Sequence, residues 1–180
     1  MGRTRRRRKV SGGVKAGLPP GVPVYVGDPH GEPIHVHVMD MTPDGLVELH
    51  ECLASELARF RASRSLTWVN LDGVHDAQQV EEICRAFDVS PLWMEDVLHA
   101  SGRPKAEAED RMALVVARSV RWVEEDQSVD VEHNAFVVGP GWLLSFQERP
   151  GDGWDAVRQR LLGTALLIRS EEHTSELQSP

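Results

Sequence analysis

The sequence predicts an α/β fold, an α/β sandwich built on a mixed sheet, and three observations predict it. Stretches with apolar residues at every second position, or in continuous short runs, alternate with stretches of 3.6-residue periodicity, giving the order β-β-α-β-α-α-β-β-β-α. The last two strands are joined by the tight Gly139-Pro140-Gly141 turn and so pair antiparallel, whereas strands separated by helices are free to pair parallel. A chain of 180 residues, 41% of them hydrophobic, suffices for one domain with a substantial core.

After the punctuation of Gly17–Gly21, Val22–Val26 reads as a short strand. In PIHVHVMD, Ile34, Val36 and Val38 alternate with His35 and His37, the pattern of a half-buried strand. A His-x-His pair on one strand face is able to ligate zinc, but no third ligand stands at motif spacing, and an ordinary polar face accounts for it. Thr42, followed by Pro43 and Asp44, is expected to open a helix reaching about Ala62, with Leu46, Leu49, Leu53, Leu57 and Phe60 on one side. LTWVNLDG (66–73) reads as a buried strand. Asp76 then caps a helix carrying Val80, Ile83, Cys84 and Phe87 inward. Met112–Trp122 and Val131–Val138 read as strands, and Gly139-Pro140-Gly141 turns the second into WLLSFQE. A helix from about Asp152 to Leu162 comes last.

Between these lies SPLWMEDVLHASGRPKAE, Ser90–Glu107. Ser90 is placed to accept hydrogen bonds from free amides, Pro91 suits the first helical position, and Gly102 and Pro104 are expected to stop the helix. At about 100° per residue, Trp93, Met94, Val97 and Leu98 form an apolar face. Glu95, Asp96 and His99 fall together on the opposite side. Those three groups are either a solvated polar face or part of a cation site, and the residues alone leave both readings open.

Charge is unevenly distributed. Seven of the 20 basic residues and none of the 28 acidic ones lie in residues 1–16, so the remainder carries a net charge of −15. Without aromatic residues interleaved, residues 1–16 with the arginine run Arg5–Arg8 are expected to be a disordered basic tail rather than a nucleic-acid or anionic-lipid contact. The acidic body attracts cations and repels phosphates. No run approaches the roughly 18 apolar residues that span a bilayer. Cys52 and Cys84 lack metal-ligand spacing and read as reduced core thiols. There is no phosphate-binding glycine loop, nucleophile elbow or His-Glu-x-x-His helix, and no nucleophile–base pair stands out, so an enzyme is not expected.

GLPPGVPVYVG, TWVNLDGVHD, FDVSPLWMEDVLHASGRPK and GWLLSFQERPGDGWDAVRQRL, in this order, resemble the N-terminal cytoplasmic domain of the CorA family of magnesium and cobalt transport proteins. The likeness runs from about residue 17 to 162 and is strongest at Thr67–Lys105 and Leu143–Leu161. It implies an α/β/α sandwich with a mixed central sheet, assembled as a homopentamer whose stalk and two membrane helices follow the domain and whose Gly-Met-Asn motif lies at the pore mouth. It also implies that Glu95 and Asp96 are a regulatory magnesium half-site, completed by acids of a neighbouring subunit. Magnesium keeps most of its waters, so two outward carboxylates suit it while being unable to enclose it alone.

Some features depart from the family. His99 replaces a residue that is often neutral and polar, and its imidazole favours Zn2+ or Co2+, so a zinc-transporting relative is an alternative. Ala106, Ala108 and Asp110 stand in a stretch that is often aromatic. The stalk, membrane helices and Gly-Met-Asn motif are absent from the sequence. One codon choice for RSEEHTSELQS reproduces the read-through of a common DNA-sequencing adapter, so residues 169–180 are expected to be non-native, leaving a domain of residues 17–168. The resemblance thus implies a membrane protein with this domain on the cytoplasmic side. The chain as given is expected to be a monomeric, soluble gating domain that binds Mg2+ weakly. A stand-alone cation-binding or adaptor domain is the other reading.

Overall fold

The computed structural model of the protein describes residues 22–27, 33–149 and 153–163, with Pro19 and Gly151. The basic segment 1–16 and the adapter-like segment 169–180 lie outside the described residues. The elements in chain order are β1 (His35–Thr42), β2 (Gly45–His50), α1 (Ala54–Arg61), β3 (Leu66–Asp72), α2 (Ala77–Ala86), α3 (Pro91–Leu98), β4 (Lys105–Glu109), β5 (Met112–Val123), β6 (Ser128–Gly139), β7 (Trp142–Gln147) and α4 (155–163).

The strands form one sheet in the order β2-β1-β3-β7-β6-β5-β4. β3 and β7 pair parallel and the other neighbours antiparallel, so the sheet is mixed, as the element order predicts. The period-two alternation decides what each face buries. Val38, Val69, Leu144, Val137 and Leu114 lie in register across five strands and are fully buried. They meet Leu57 and Phe60 of α1, Val80 and Ile83 of α2, and Trp93, Val97 and Leu98 of α3 in one core. On the opposite face, Trp154, just before α4, meets Phe136 edge-on with ring centroids 5.6 Å apart, and the Arg158 guanidinium lies 5.8 Å from the centre of the Trp68 ring. Helices therefore cover both faces, and the architecture is α/β/α.

Polar groups buried on this second face are paired between the two parallel strands. Trp68 Nε1 donates to Ser145 Oγ (2.8 Å), Ser145 donates to Asn70 Oδ1 (2.6 Å), and Asn70 Nδ2 donates to Gln147 Oε1 (3.3 Å). An unpartnered amide or hydroxyl in such a position is costly, so this ladder fixes the β3–β7 register as well as satisfying it.

Two expectations are corrected, and one strand was not foreseen. The helix expected over Thr42–Ala62 is a β-hairpin followed by a shorter helix: Pro43 and Asp44 form the turn between β1 and β2, Gly45 takes φ +138°, and Thr42 Oγ1 donates to the Gly45 carbonyl at 3.2 Å. Val22–Val26 is not in the sheet; the Val26 amide instead donates to the carbonyl of Leu98 at 2.9 Å. Lys105–Glu109, assigned to no element by its pattern, is the outer strand β4. Of the two thiols, Cys84 is buried in α2 and its pKa is pushed up to about 12 by burial, whereas Cys52 lies half-buried in the β2–α1 connection rather than inside a helix.

Candidate metal-sensing site

α3 begins as its sequence predicts. The Ser90 hydroxyl accepts from the Leu92 amide at 3.3 Å, and Pro91 occupies the first turn, where its missing N–H is harmless. Trp93, Met94, Val97 and Leu98 are buried, and Leu92 on the opposite side is 60% exposed. The apolar stripe thereby fixes the helix rotation, leaving Glu95 and Asp96 partly exposed on its outer side.

The helix ends at Leu98, before Gly102. His99 is its C-cap with φ −94° and ψ 75°, and its carbonyl accepts from the Gly102 amide at 2.8 Å. Among the described residues, no group of three or more His, Cys, Asp or Glu side chains is placed to hold a metal ion. Glu95 and Asp96 remain neighbours; His99 does not join them in a common ligand set.

Asp96 has a partner that the sequence did not reveal. Lys105 Nζ lies 2.6 Å from Asp96 Oδ2 and 2.9 Å from Glu107 Oε1. The Trp93 indole N–H donates to the second oxygen of Glu107 at 3.0 Å. Burial alone lowers the pKa of the Lys105 ammonium, but hydrogen bonds to Asp96 and Glu107 outweigh it and leave the pKa raised. The Glu107 carboxyl is lowered, chiefly by its bond to Lys105. Asp96, Lys105, Glu107 and Trp93 thus tie α3 to β4, and an incoming cation at Asp96 competes with an ammonium already there.

A cavity of about 430 Å³ lies elsewhere, between α4 and the second face of the sheet. Its walls include Met41, Leu66, Trp68, Phe136, Trp154 and Leu161 and are almost wholly apolar, so they offer a cation no ligands. α3 and its carboxylates sit over the other face.

No protein-family model matches the chain. The cobalt/magnesium transport protein CorA of Thermotoga maritima (strain MSB8) is 29% identical over 157 residues, 87% of this chain and 44% of that protein. The chain therefore spans under half the length of this curated relative. Among solved structures, the full-length CmaX protein superposes with a TM-score of 0.58 at 13% identity, covering 76% of this chain and 41% of that one. The ZntB cytoplasmic domain from Vibrio parahaemolyticus RIMD 2210633 gives 0.54 at 14% identity, covering 74% and 52%. These two likenesses establish a shared fold. By sequence the chain is thus similar to a cobalt/magnesium transport protein of the CorA family over most of its length, and in its three-layer architecture it shares the fold of the CmaX protein and the ZntB cytoplasmic domain.

Proposed function

We propose that the chain is the metal-responsive soluble part of a CorA-type divalent-cation transporter, with Glu95 and Asp96 as its half of a regulatory magnesium site. The observation that carries this reading is the 29% identity to a cobalt/magnesium transport protein over 157 residues that include α3 and its adjacent carboxylates. Hard carboxylate oxygens suit Mg2+, which retains waters in the remaining positions. Two carboxylates side by side also repel one another, so a cation between them and a facing surface is favoured. In the assembled transporter that facing surface is a neighbouring subunit of a pentamer held at the membrane, and metal loss loosens the contact. Lys105 sets the threshold: its ammonium neutralises Asp96 when magnesium is scarce and must swing away when magnesium binds. Co2+ and Zn2+ are the other ions the site would be offered. The role is binding and gating, not catalysis.

The test is a magnesium titration of the melting temperature with Asp96→Asn and Lys105→Gln alongside the parent. The isolated half-site is expected to bind weakly; for a dissociation constant of about 10 mM, 10 mM magnesium adds only ~0.4 kcal/mol. Lys105→Gln frees Asp96 and strengthens the response, whereas Asp96→Asn removes it. An unchanged magnesium response in Asp96→Asn removes that carboxylate from the site.

The 2.6 Å Asp96–Lys105 bond favours a second reading, in which Asp96 only fastens α3 to β4. Both variants then destabilise the fold alike, within the roughly 0–1 kcal/mol of a partly exposed ion pair, and neither alters the magnesium response. Strong stabilisation by micromolar magnesium points instead to a stand-alone cation-binding domain.

A further inference from the structure

The β1–β2 register brings together two histidines that the sequence keeps apart. His37 of β1 stands opposite His50 of β2. Their Nδ1 atoms are 2.9 Å apart, and the rings meet edge-on at 89° with centroids separated by 4.9 Å. β2 is the outermost strand, and the His50 side chain is 55% exposed. Glu48 places a carboxylate oxygen 3.7 Å from Nε2, the other nitrogen of His50. His35, two residues before His37 on the same strand face, is engaged elsewhere, its Nδ1 lying 2.7 Å from Glu51 Oε1.

We propose that His37 and His50 form a two-histidine site for a borderline-soft transition-metal ion of the nickel, copper, cobalt and zinc class, separate from Glu95 and Asp96. In the metal-free pair, one Nδ1–H donates to the lone pair of the other Nδ1. A metal ion takes the place of that shared proton. With metal–nitrogen bonds of about 2.0–2.1 Å, a separation of 2.9 Å subtends roughly 90° at the ion, the angle between neighbouring ligands in an octahedral or square-planar complex. A tetrahedral ion needs the nitrogens about 3.3 Å apart, a small widening. The centroid separation shows the two nitrogens facing each other almost head-on. Each ring must therefore turn by about 45° to aim at one ion beside the line between them. His50, exposed at the sheet edge, has room for that turn, while the half-buried His37 must make it within its partly packed surroundings.

Glu48, 3.7 Å from Nε2 and so outside hydrogen-bond reach, adds a nearby negative charge that favours a cation at the pair. No third protein ligand converges among the described residues, so water completes the shell and the site stays open on one side. Magnesium, which prefers oxygen, is a poor competitor for two imidazoles. A bound ion would clip the edge strand β2 to β1.

Nickel chloride is the probe, titrated calorimetrically into the parent chain and the variants His50→Ala, His37→Ala, His35→Ala and Asp96→Asn, with the melting temperature of each metal-free variant as a folding control. One nickel ion is expected to bind the parent, and tenfold excess magnesium should leave that binding unchanged. Affinity falls at least tenfold in His50→Ala and His37→Ala and is kept in His35→Ala and Asp96→Asn. If His37→Ala lowers the metal-free melting temperature, the exposed His50→Ala alone carries the conclusion. Undiminished affinity in His50→Ala overturns the proposal, as does an equal loss in His35→Ala. Because Asp96→Asn belongs only to the magnesium site, failure of one proposal is distinguishable from failure of the other.

Discussion

His133 is fully buried in β6, and burial holds its imidazole below the ordinary pKa. The Glu148 carboxylate opposes that shift, Arg118 adds to it, the Val97 carbonyl opposes it and His99 adds to it. Glu148 is itself committed, because its Oε2 accepts from the His133 backbone amide at 2.9 Å. As pH falls through about 6.5, the unfolded chain protonates this histidine while the folded chain resists. The unfolded state then binds more protons, so stability drops below that pH. Glu132 works in the opposite sense: burial raises its carboxyl pKa, so its contribution is present at low pH and is lost as pH rises through the raised value. Urea unfolding at pH 7.5 and 5.5 should show the parent losing more stability than His133→Gln over that interval. Equal losses in the two proteins would assign the pH dependence to other groups.

The secondary-structure elements show how local chemistry and long-range pairing divide the work. Asp76 caps α2 by accepting from the amides of Gln78 and Gln79 at 3.0 and 3.1 Å, so Asp76→Ala should cost about 1 kcal/mol in urea unfolding. Gly139, at the β6–β7 turn, sits against the Trp142 indole, which is 5% exposed and packs on Phe87 with centroids 4.9 Å apart. A methyl group at 139 runs into that ring, so Gly139→Ala should destabilise more than Asp76→Ala; a smaller loss would mean that the indole moves freely. Elements like these were legible because their signals are local: the cap at Asp76, the serine and proline that start α3, and the glycines of the last hairpin. The first hairpin was misread because Leu46, Leu49, Leu53, Leu57 and Phe60 also fit one helix face, and the turn at Pro43 and Asp44 doubles as a helix start. The adjacency of Glu95 and Asp96 was legible for the same local reason. Lys105 beside Asp96 was not, since a chain reversal separates them, and neither was His50 beside His37, since a register set by the misread turn brings them together.

For the molecule as a whole, stability should grade from the centre of the sheet to its edges. β3, β7 and the later half of β6 are flanked by paired strands and bury Val69, Leu71, Leu144, Phe146 and Val137. β2 and β4 have one partner each, and the outer end of the β5–β6 ribbon exposes Val120, Trp122 and Val129. Amide exchange follows local opening, so central amides should exchange only on global unfolding and edge amides orders of magnitude sooner. The two proposed sites occupy different parts of this gradient. α3 rests on the protected core, so magnesium at Glu95 and Asp96 has little local order left to add. His37 and His50 join the outermost strand to its neighbour, where an ion has loose structure to tighten. Nickel should therefore slow exchange in β2 and leave β4, the opposite edge, unchanged. Equal slowing at both edges would indicate general stabilisation rather than a clip, and no slowing in β2 would show that nickel does not bridge the strands.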